Sequence, residues 1–285
     1  MKFKIYDVFA KDHFEGNPTA VVYYEEVFEK KKMQKIANEL SLAHTIFISL
    51  KNTSDQLFDS LTFTPYDELK ICSQGIIAAI FALLDDKPLF DGEFEVNTAL
   101  GKKKVIIATP IEKLKFPEVY VSLGQATIKA IEEKEMNEIS KAIKLPNNDL
   151  VNSIIELGKK DRLVIQINSK ILEKIVLTNS DVMKICDKLQ LAGIILFSLL
   201  PDKKNVRSRY FAASLNGRED AVTGIASGSI TAFCLHHKII SEQEDLIVHQ
   251  GGFDTREGFM YPKYRENEIF VGGRALKTAE GNLFL

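Results

Sequence analysis

Cysteine is scarce in this chain: Cys72, Cys186 and Cys234 are the only three, an odd number set in apolar surroundings. That argues against a disulfide framework and suits a reducing compartment. Long hydrophobic runs are missing too, and none approaches the roughly 20 residues that span a bilayer. No apolar leader opens the chain, because residues 1–9 alternate like a strand and turn polar directly afterwards. Nor does charge of one sign dominate. With 37 basic against 39 acidic residues, and basic clusters no longer than Lys30–Lys32 and Lys102–Lys104, there is no electrostatic footprint for nucleic acid. His236, His237 and His249 match no metal-ligand spacing, and the pair at 236–237 reads as a helix end favoured by the dipole there. The expectation is a cytoplasmic protein without metal, membrane or nucleic acid, whose partners are small molecules or a second copy of itself.

At 285 residues and 45% hydrophobic content, the chain is long enough to bury the cores of two ordinary domains. An internal repeat supports two. Residues 33–50 superimpose on residues 182–199 at an offset of 149, matching Lys35 with Lys184, Ile36 with Ile185, Leu40 with Leu189, Leu42 with Leu191 and Ala43 with Ala192. The same offset relates Gly75 to Gly224, each placed where a small polar opening gives way to an apolar helix. Two separate segments sharing one offset indicate a duplication. The expected organisation is two similar lobes at 1–118 and 119–285, related by a pseudo-twofold axis, with a ligand cleft between them. The last strand is a candidate to return to the first lobe.

The two openings carry the candidate ligand site. Residues 217–235 begin with the acid pair Glu219 and Asp220, pass through Gly224, Ala226, Ser227 and Gly228, and continue as an apolar run. Residues 71–84 repeat the plan from Cys72, Ser73, Gln74 and Gly75 onward. The first turn of a helix leaves N–H groups unpaired, so the backbone at Ser73, Gln74 and Gly75 and at Thr223, Gly224 and Ile225 can bind a small carboxylic acid. The competing reading is that the small residues serve close helix packing alone. Cys72 reads either as a thiol activated by the helix start or as a small buried hydrophobe.

Along the chain, residues 2–9 alternate with Phe3, Ile5 and Asp7 on one side, and Gly16-Asn17-Pro18 is turn chemistry before a β-branched strand. Asn17 is either a turn residue or an amide for a ligand carboxylate. Helical spacing of Met33, Ile36, Ala37 and Leu40 predicts a helix from about Glu26 to Leu40, and a strand follows from His44. Residues 94–110 read as a hairpin, about 113–124 as the crossing between lobes, 133–143 as a helix, and 268–276 as a closing strand whose Gly272-Gly273 marks a bulge or close approach. Arg209 either binds a ligand carboxylate or neutralises Asp220.

Taken in order, Asp7–Phe9, Phe14–Val22, Met33–Ala37, Phe63–Pro65, Glu219–Gly224 and Val271–Ala275 resemble the PhzF-like (phenazine biosynthesis) family, which shares the diaminopimelate epimerase fold. The resemblance implies an α+β chain of two lobes, each a barrel-like mixed sheet around a central helix, commonly in a homodimer. It also implies a cofactor-free isomerase in which a glutamate at a strand start shuttles a proton, a histidine after a Cys-Gly pair assists and an aspartate holds the substrate. Asp220 matches that aspartate. His44 stands where the family has the glutamate, and Cys72-Ser73-Gln74-Gly75-Ile76 where it has Cys-Gly-His-Ala-Thr. His44 and Asp220 are therefore the expected catalytic pair, with His44 near its reference pKa of about 6.5 and raised by Asp220. The alternative is a relative that binds a small acid without turning it over. Racemisation by two thiols is a third scheme, but Cys72 has Ala221 as its counterpart at the 149 offset.

Overall fold

In the computed structural model the described residues are 1–24, 28–49, 58–86, 91–108, 118–145, 151–252 and 256–284. Expectations for Glu26, Leu50, Pro110 and positions 113–117 lie outside them. The chain divides into two compact units, Met1–Ser122 with Gly272–Leu285, and Leu123–Val271.

The first unit runs β1 (Lys2–Val8), β2 (Asn17–Tyr24), α1 (Lys30–Leu40), β3 (His44–Ser49), β4 (Ser60–Phe63), β5 (Glu68–Leu69), α2 (Ser73–Asp86), β6 (Gly92–Thr98), β7 (Gly101–Ala108) and β8 (Glu118–Gly124). The second runs β9 (Thr127–Lys129), α3 (Glu133–Ile143), β10 (Val151–Leu157), β11 (Lys160–Gln166), α4 (Ser169–Lys174), α5 (Asn179–Leu189), β12 (Gly193–Leu199), β13 (Asn205–Ala212), β14 (Glu219–Asp220), α6 (Gly224–His236), β15 (Ile247–Gly251), β16 (Glu257–Arg265) and β17 (Glu268–Gly273). The chain then re-enters the first unit as β18 (Ala275–Asn282).

In the first unit β18-β1-β2-β3-β4-β5 form a mixed sheet whose parallel pair is β2 with β3. Its faces are both covered. Met33, Ile36 and Ala37 of α1 pack with Val22, Phe47 and Phe63 on one face, while α2, apolar on nearly every side, packs against β1, β2, β3 and β18. A helix hydrophobic all round is stable only when enclosed in this way. In β1 the alternation reads differently from its expected face: Lys4, Tyr6 and Val8 point to α2 and are almost wholly buried, whereas Phe3 joins the α1 cluster. Lys4 is tolerated inside because Asp86 Oδ1 accepts from its Nζ at 2.8 Å and the Ala82 carbonyl at 3.2 Å, at the carboxyl end of α2 where a cation is favoured.

In the second unit the strands follow the order β17-β16-β15-β13-β12-β11-β10-β9, with parallel pairs β11–β12 and β13–β15. One face carries α6, which touches β9, β10, β11, β12 and β16 and is buried along most of its length. The cluster of Ile139, Val182, Ile185, Leu196 and Phe211 joins the sheet to α3 and α5.

The repeat is structural as well as sequential. Helices α1 and α5 share both bounds at the offset of 149, and β3 and β12 share their start. Both helices end on a left-handed residue, Ser41 with φ 51° and Gln190 with φ 55°, whose N–H groups donate to the equivalent carbonyls of Ala37 and Cys186. Two caps with the same geometry at the same offset are a property of the duplicated segment itself.

The closing strand is two strands, interrupted at Arg274, whose carbonyl accepts from the Phe9 N–H at 2.7 Å. The glycine pair before it is a close approach as expected: a Cβ on Gly272 would lie 2.2 Å from the Tyr120 ring, and one on Gly273 2.3 Å from the Phe9 ring.

Candidate active site

The turn before β2 places the first group. Gly16 has φ +63°, and a Cβ there would stand 2.3 Å from the Val8 carbonyl oxygen, so the turn requires glycine. It delivers Asn17 and Thr19, both buried, onto the start of β2, where the parallel register sets Thr19 opposite His44 at the start of β3. The Gln74 side chain, in the first turn of α2, reaches the same spot: its Nε2 donates to Thr19 Oγ1 at 2.6 Å and to the Asn17 carbonyl at 3.3 Å.

At the opening of α2, the Cys72 sulfur accepts the Gly75 N–H at 3.3 Å and the Cys72 carbonyl accepts the Ile76 N–H at 3.1 Å. The half-exposed thiol thus caps the helix in part. Among the described residues, the N–H groups of Ser73 and Gln74 have no protein acceptor, as expected for a first helical turn. A Cβ on Gly75 would press to 3.0 Å from Thr62 Oγ1, so this small residue also serves close packing on β4.

His44 itself is half-buried, with Nδ1 enclosed and, among the described residues, without a hydrogen-bond partner. Burial pushes the imidazole down to about 4, against a hydrogen bond to the Gln74 side chain that acts in the other direction. The value expected from sequence was near 6.5 and raised by Asp220. Desolvation and Gln74 instead set the balance, both within the first unit, and the ring is neutral at pH 7.

In the second unit β14 pairs with β13 through Tyr210 and Phe211, which places Glu219 and Asp220 just ahead of α6. Asp220 Oδ2 accepts from the Thr223 hydroxyl. Gln250, fully buried in β15, donates to the Asp220 carbonyl at 2.9 Å and to Thr223 Oγ1 at 3.3 Å, and so ties strand, acid and helix start together. Thr223 is the N-cap of α6, Gly224 is buried behind it, and Ile225 lies over the β10–β11 turn, its Cδ1 2.7 Å from where a Cβ on Gly158 would stand. Arg209, offered by the sequence as a partner for Asp220 or for a ligand, grips Glu219 instead; its remaining nitrogen donates to the Leu172 and Ile175 carbonyls at 3.3 and 2.8 Å.

The other histidines serve elsewhere. His237 Nε2 bonds the Ser153 hydroxyl at 3.0 Å, and burial with neighbouring His236 pushes its pKa down. His249 stacks on Phe259 with centroids 4.2 Å apart, between Arg207 and Glu257. Among the described residues, no group of three or more His, Cys, Asp or Glu side chains converges to hold a metal ion, and no helix is long and apolar enough to cross a membrane. Thr19, Gln250 and Lys4 escaped the sequence reading, although Gln250 does fall on an inward position of the alternating run Val248–Gly251.

The pattern that defines the phenazine biosynthesis-like protein family, PhzC-PhzF, matches residues 6–281. The chain belongs to that family. Among its phenazine biosynthesis-like relatives, an uncharacterized isomerase of Clostridium acetobutylicum is 27% identical, covering 100% of this chain and 99% of its own length. A phenazine biosynthesis-like domain-containing protein of Homo sapiens is 24% identical over 99% of each chain. The crystal structure of the Bacillus anthracis PhzF-family phenazine biosynthesis protein superimposes with a TM-score of 0.83 at 22% identity, covering 100% of this chain and 99% of that one, which shows the shared fold. A hydroxyproline epimerase from Agrobacterium vitis superimposes at 0.60 and 10% identity over 99% and 91% of the two chains.

Proposed function

We propose that this phenazine biosynthesis-like chain is a cofactor-independent isomerase that moves a proton within a small carboxylic acid. His44 is the acid/base and Asp220 orients the substrate, with Asn17, the α2 opening at Ser73, Gln74 and Gly75, and the α6 opening at Thr223, Gly224 and Ile225 as the binding groups. Full-length similarity to a protein named as an isomerase supports the reaction class. The observation that carries the role of His44 is its enclosed Nδ1, which has no hydrogen-bond partner among the described residues. A buried polar atom left in this state costs roughly 1–3 kcal/mol, which marks the ring as held there at a cost to stability. The Ser73 and Gln74 N–H groups supply the complementary donors for a carboxylate.

A second reading has one observation in its favour. An imidazole whose conjugate acid titrates near 4 is a weak base, so the chain can bind a small acid without exchanging its protons. Incubation of a panel of small carboxylic acids with the protein in deuterium oxide, read by mass, separates the two. Deuterium incorporation that is lost in His44→Ala supports the isomerase. Thermal stabilisation by an acid with no incorporation supports the binder and overturns the first reading.

A further inference from the structure

We propose that Gln250 is a positioning residue that turns the Thr223 hydroxyl away from its own helix and onto Asp220, so that the opening of α6 stays uncapped for a ligand. The Asp220 carbonyl can only accept, and Gln250 lies 2.9 Å from it, so the amide end that faces β14 is the nitrogen. The same nitrogen is 3.3 Å from Thr223 Oγ1, which therefore accepts there and must point its hydrogen elsewhere. Asp220 Oδ2 receives it.

A second threonine in the chain behaves differently. Thr178 is the N-cap of α5 as Thr223 is of α6, and each bonds an aspartate 3 positions away. Thr178 bonds forward: its Oγ1 accepts the Asp181 N–H at 3.1 Å and donates to Asp181 Oδ2 at 2.7 Å, which caps the helix. Thr223 bonds backward to Asp220, and its side chain accepts no N–H of α6. A cap oxygen and a bound anion compete for the same first-turn donors, so one excludes the other. Among the described residues, the Gly224 and Ile225 N–H groups accordingly have no protein acceptor.

The rest of the Gln250 side chain agrees. It is fully buried, yet its Oε1 is enclosed and, among the described residues, has no donor; the hydroxyl of Ser208, its register partner on β13, does not supply one. Turning the amide over would set oxygen against the Asp220 carbonyl. A core glutamine with half its amide unpaired adds little stability over an apolar side chain of its size, so its contribution lies in the two nitrogen bonds.

The ligand step rests on the reading of the α6 opening as a binding group, but the direction of the hydroxyl does not. Amide hydrogen exchange, followed in spectra of the 15N,13C-labelled full chain, reads that direction. In Thr178→Val the Asp181 amide loses its cap and is expected to exchange about fivefold faster. Ala226 is the equivalent position in α6, since both N–H groups bond their cap residue's carbonyl at 3.0 Å. In Thr223→Val its amide is expected to hold the wild-type rate. Gln250→Met frees the hydroxyl to cap, so Ala226 is expected to exchange about fivefold more slowly, and adding Thr223→Val restores the wild-type rate. General loosening by a core substitution would speed exchange instead. An Ala226 amide that exchanges about fivefold faster in Thr223→Val, or no slower in Gln250→Met, overturns the proposal. Should Gln250→Met fail to fold, Thr223→Val decides it together with the wild-type coupling from Gln250 Nε2–H to the Asp220 carbonyl carbon, whose absence also overturns it. Acetate serves as the ligand probe: it is expected to shift the Gly224 and Ile225 amides of the wild type and to bind about fivefold more weakly to Gln250→Met. A slowed Ala226 in Gln250→Met, with no acetate response in the wild type, upholds the Gln250 role and overturns the binding reading of the α6 opening.

Discussion

Arg209 and Glu219 meet through two parallel hydrogen bonds, Nε to Oε1 at 2.9 Å and Nη2 to Oε2 at 2.6 Å, with both side chains nearly out of solvent. The pair joins β13 to β14 immediately before Asp220. Removing one partner strands the other charge inside, and that loss, roughly 3–5 kcal/mol for a buried pair, exceeds what the pair itself contributes. Glu219→Ala and Arg209→Ala are each expected to lower the stability of the second unit on that scale. Urea denaturation checks it, and a change under 1 kcal/mol in both variants contradicts a buried bidentate pair.

Lys4 anchors the far end of α2 in the same fashion, with Tyr23 donating to Asp86 Oδ2 at 2.8 Å and Tyr6 to Asp85 Oδ2 at 2.7 Å beside it. Despite partial burial, hydrogen bonds from Lys4 and Tyr23 hold the Asp86 carboxyl below its ordinary 3.8. A depressed carboxylate contributes stability above its ordinary pKa and loses it as pH falls through the folded value. Wild type should therefore lose stability below about pH 4, and Lys4→Met should be less stable at pH 7 and show a shallower acid slope. Melting temperatures between pH 3 and 7 test both.

For His44 the folded pKa of about 4 lies under the ordinary 6.5. The neutral ring suits the folded state, so its contribution is complete above pH 6.5 and declines as pH falls toward 4. The integrated loss is up to about 3 kcal/mol at 1.36 kcal/mol per pKa unit. His44→Gln should flatten that part of the stability profile, as measured by denaturant titration across the same range.

His44→Ala is expected to abolish proton exchange while leaving ligand affinity within a few-fold, since general acid/base groups contribute about 10²–10⁴-fold to rate. Calorimetric binding alongside the deuterium assay separates the two effects. Undiminished exchange in the variant removes His44 from the mechanism.

Gly16→Ala forces a left-handed turn on a residue with a Cβ and drives that Cβ against the Val8 carbonyl. The strain should cost on the order of 1–3 kcal/mol. Because Asn17 and Thr19 follow directly, the variant should also perturb the His44 signals in the labelled spectrum, which an ordinary surface substitution would leave in place.

Much of the fold was legible because its signals are local. The 149-residue offset anticipated that α1 and α5, and β3 and β12, would correspond, and the helix read at Glu133–Ile143 has the bounds of α3. A helix pattern or a left-handed cap depends on residues a few positions away, and these a sequence displays directly.

Partner choice and desolvation depend instead on groups far apart in the chain. Lys4 reads as the exposed member of an alternating strand until Asp86, distant in sequence, enters its surroundings. Arg209 had two carboxylates nearby in sequence, and strand pairing gave it Glu219. His44 carries no mark in the sequence of a ring held neutral; the tertiary fold determined that by burying the imidazole, which outweighs the opposing effect of Gln74. The sequence by itself determined which segments would be helices and strands and which side chains carried reactive groups. Tertiary structure decided the charge, hydrogen-bond partners and exposure of those groups, because an electrostatic environment is the sum over neighbours that only folding assembles.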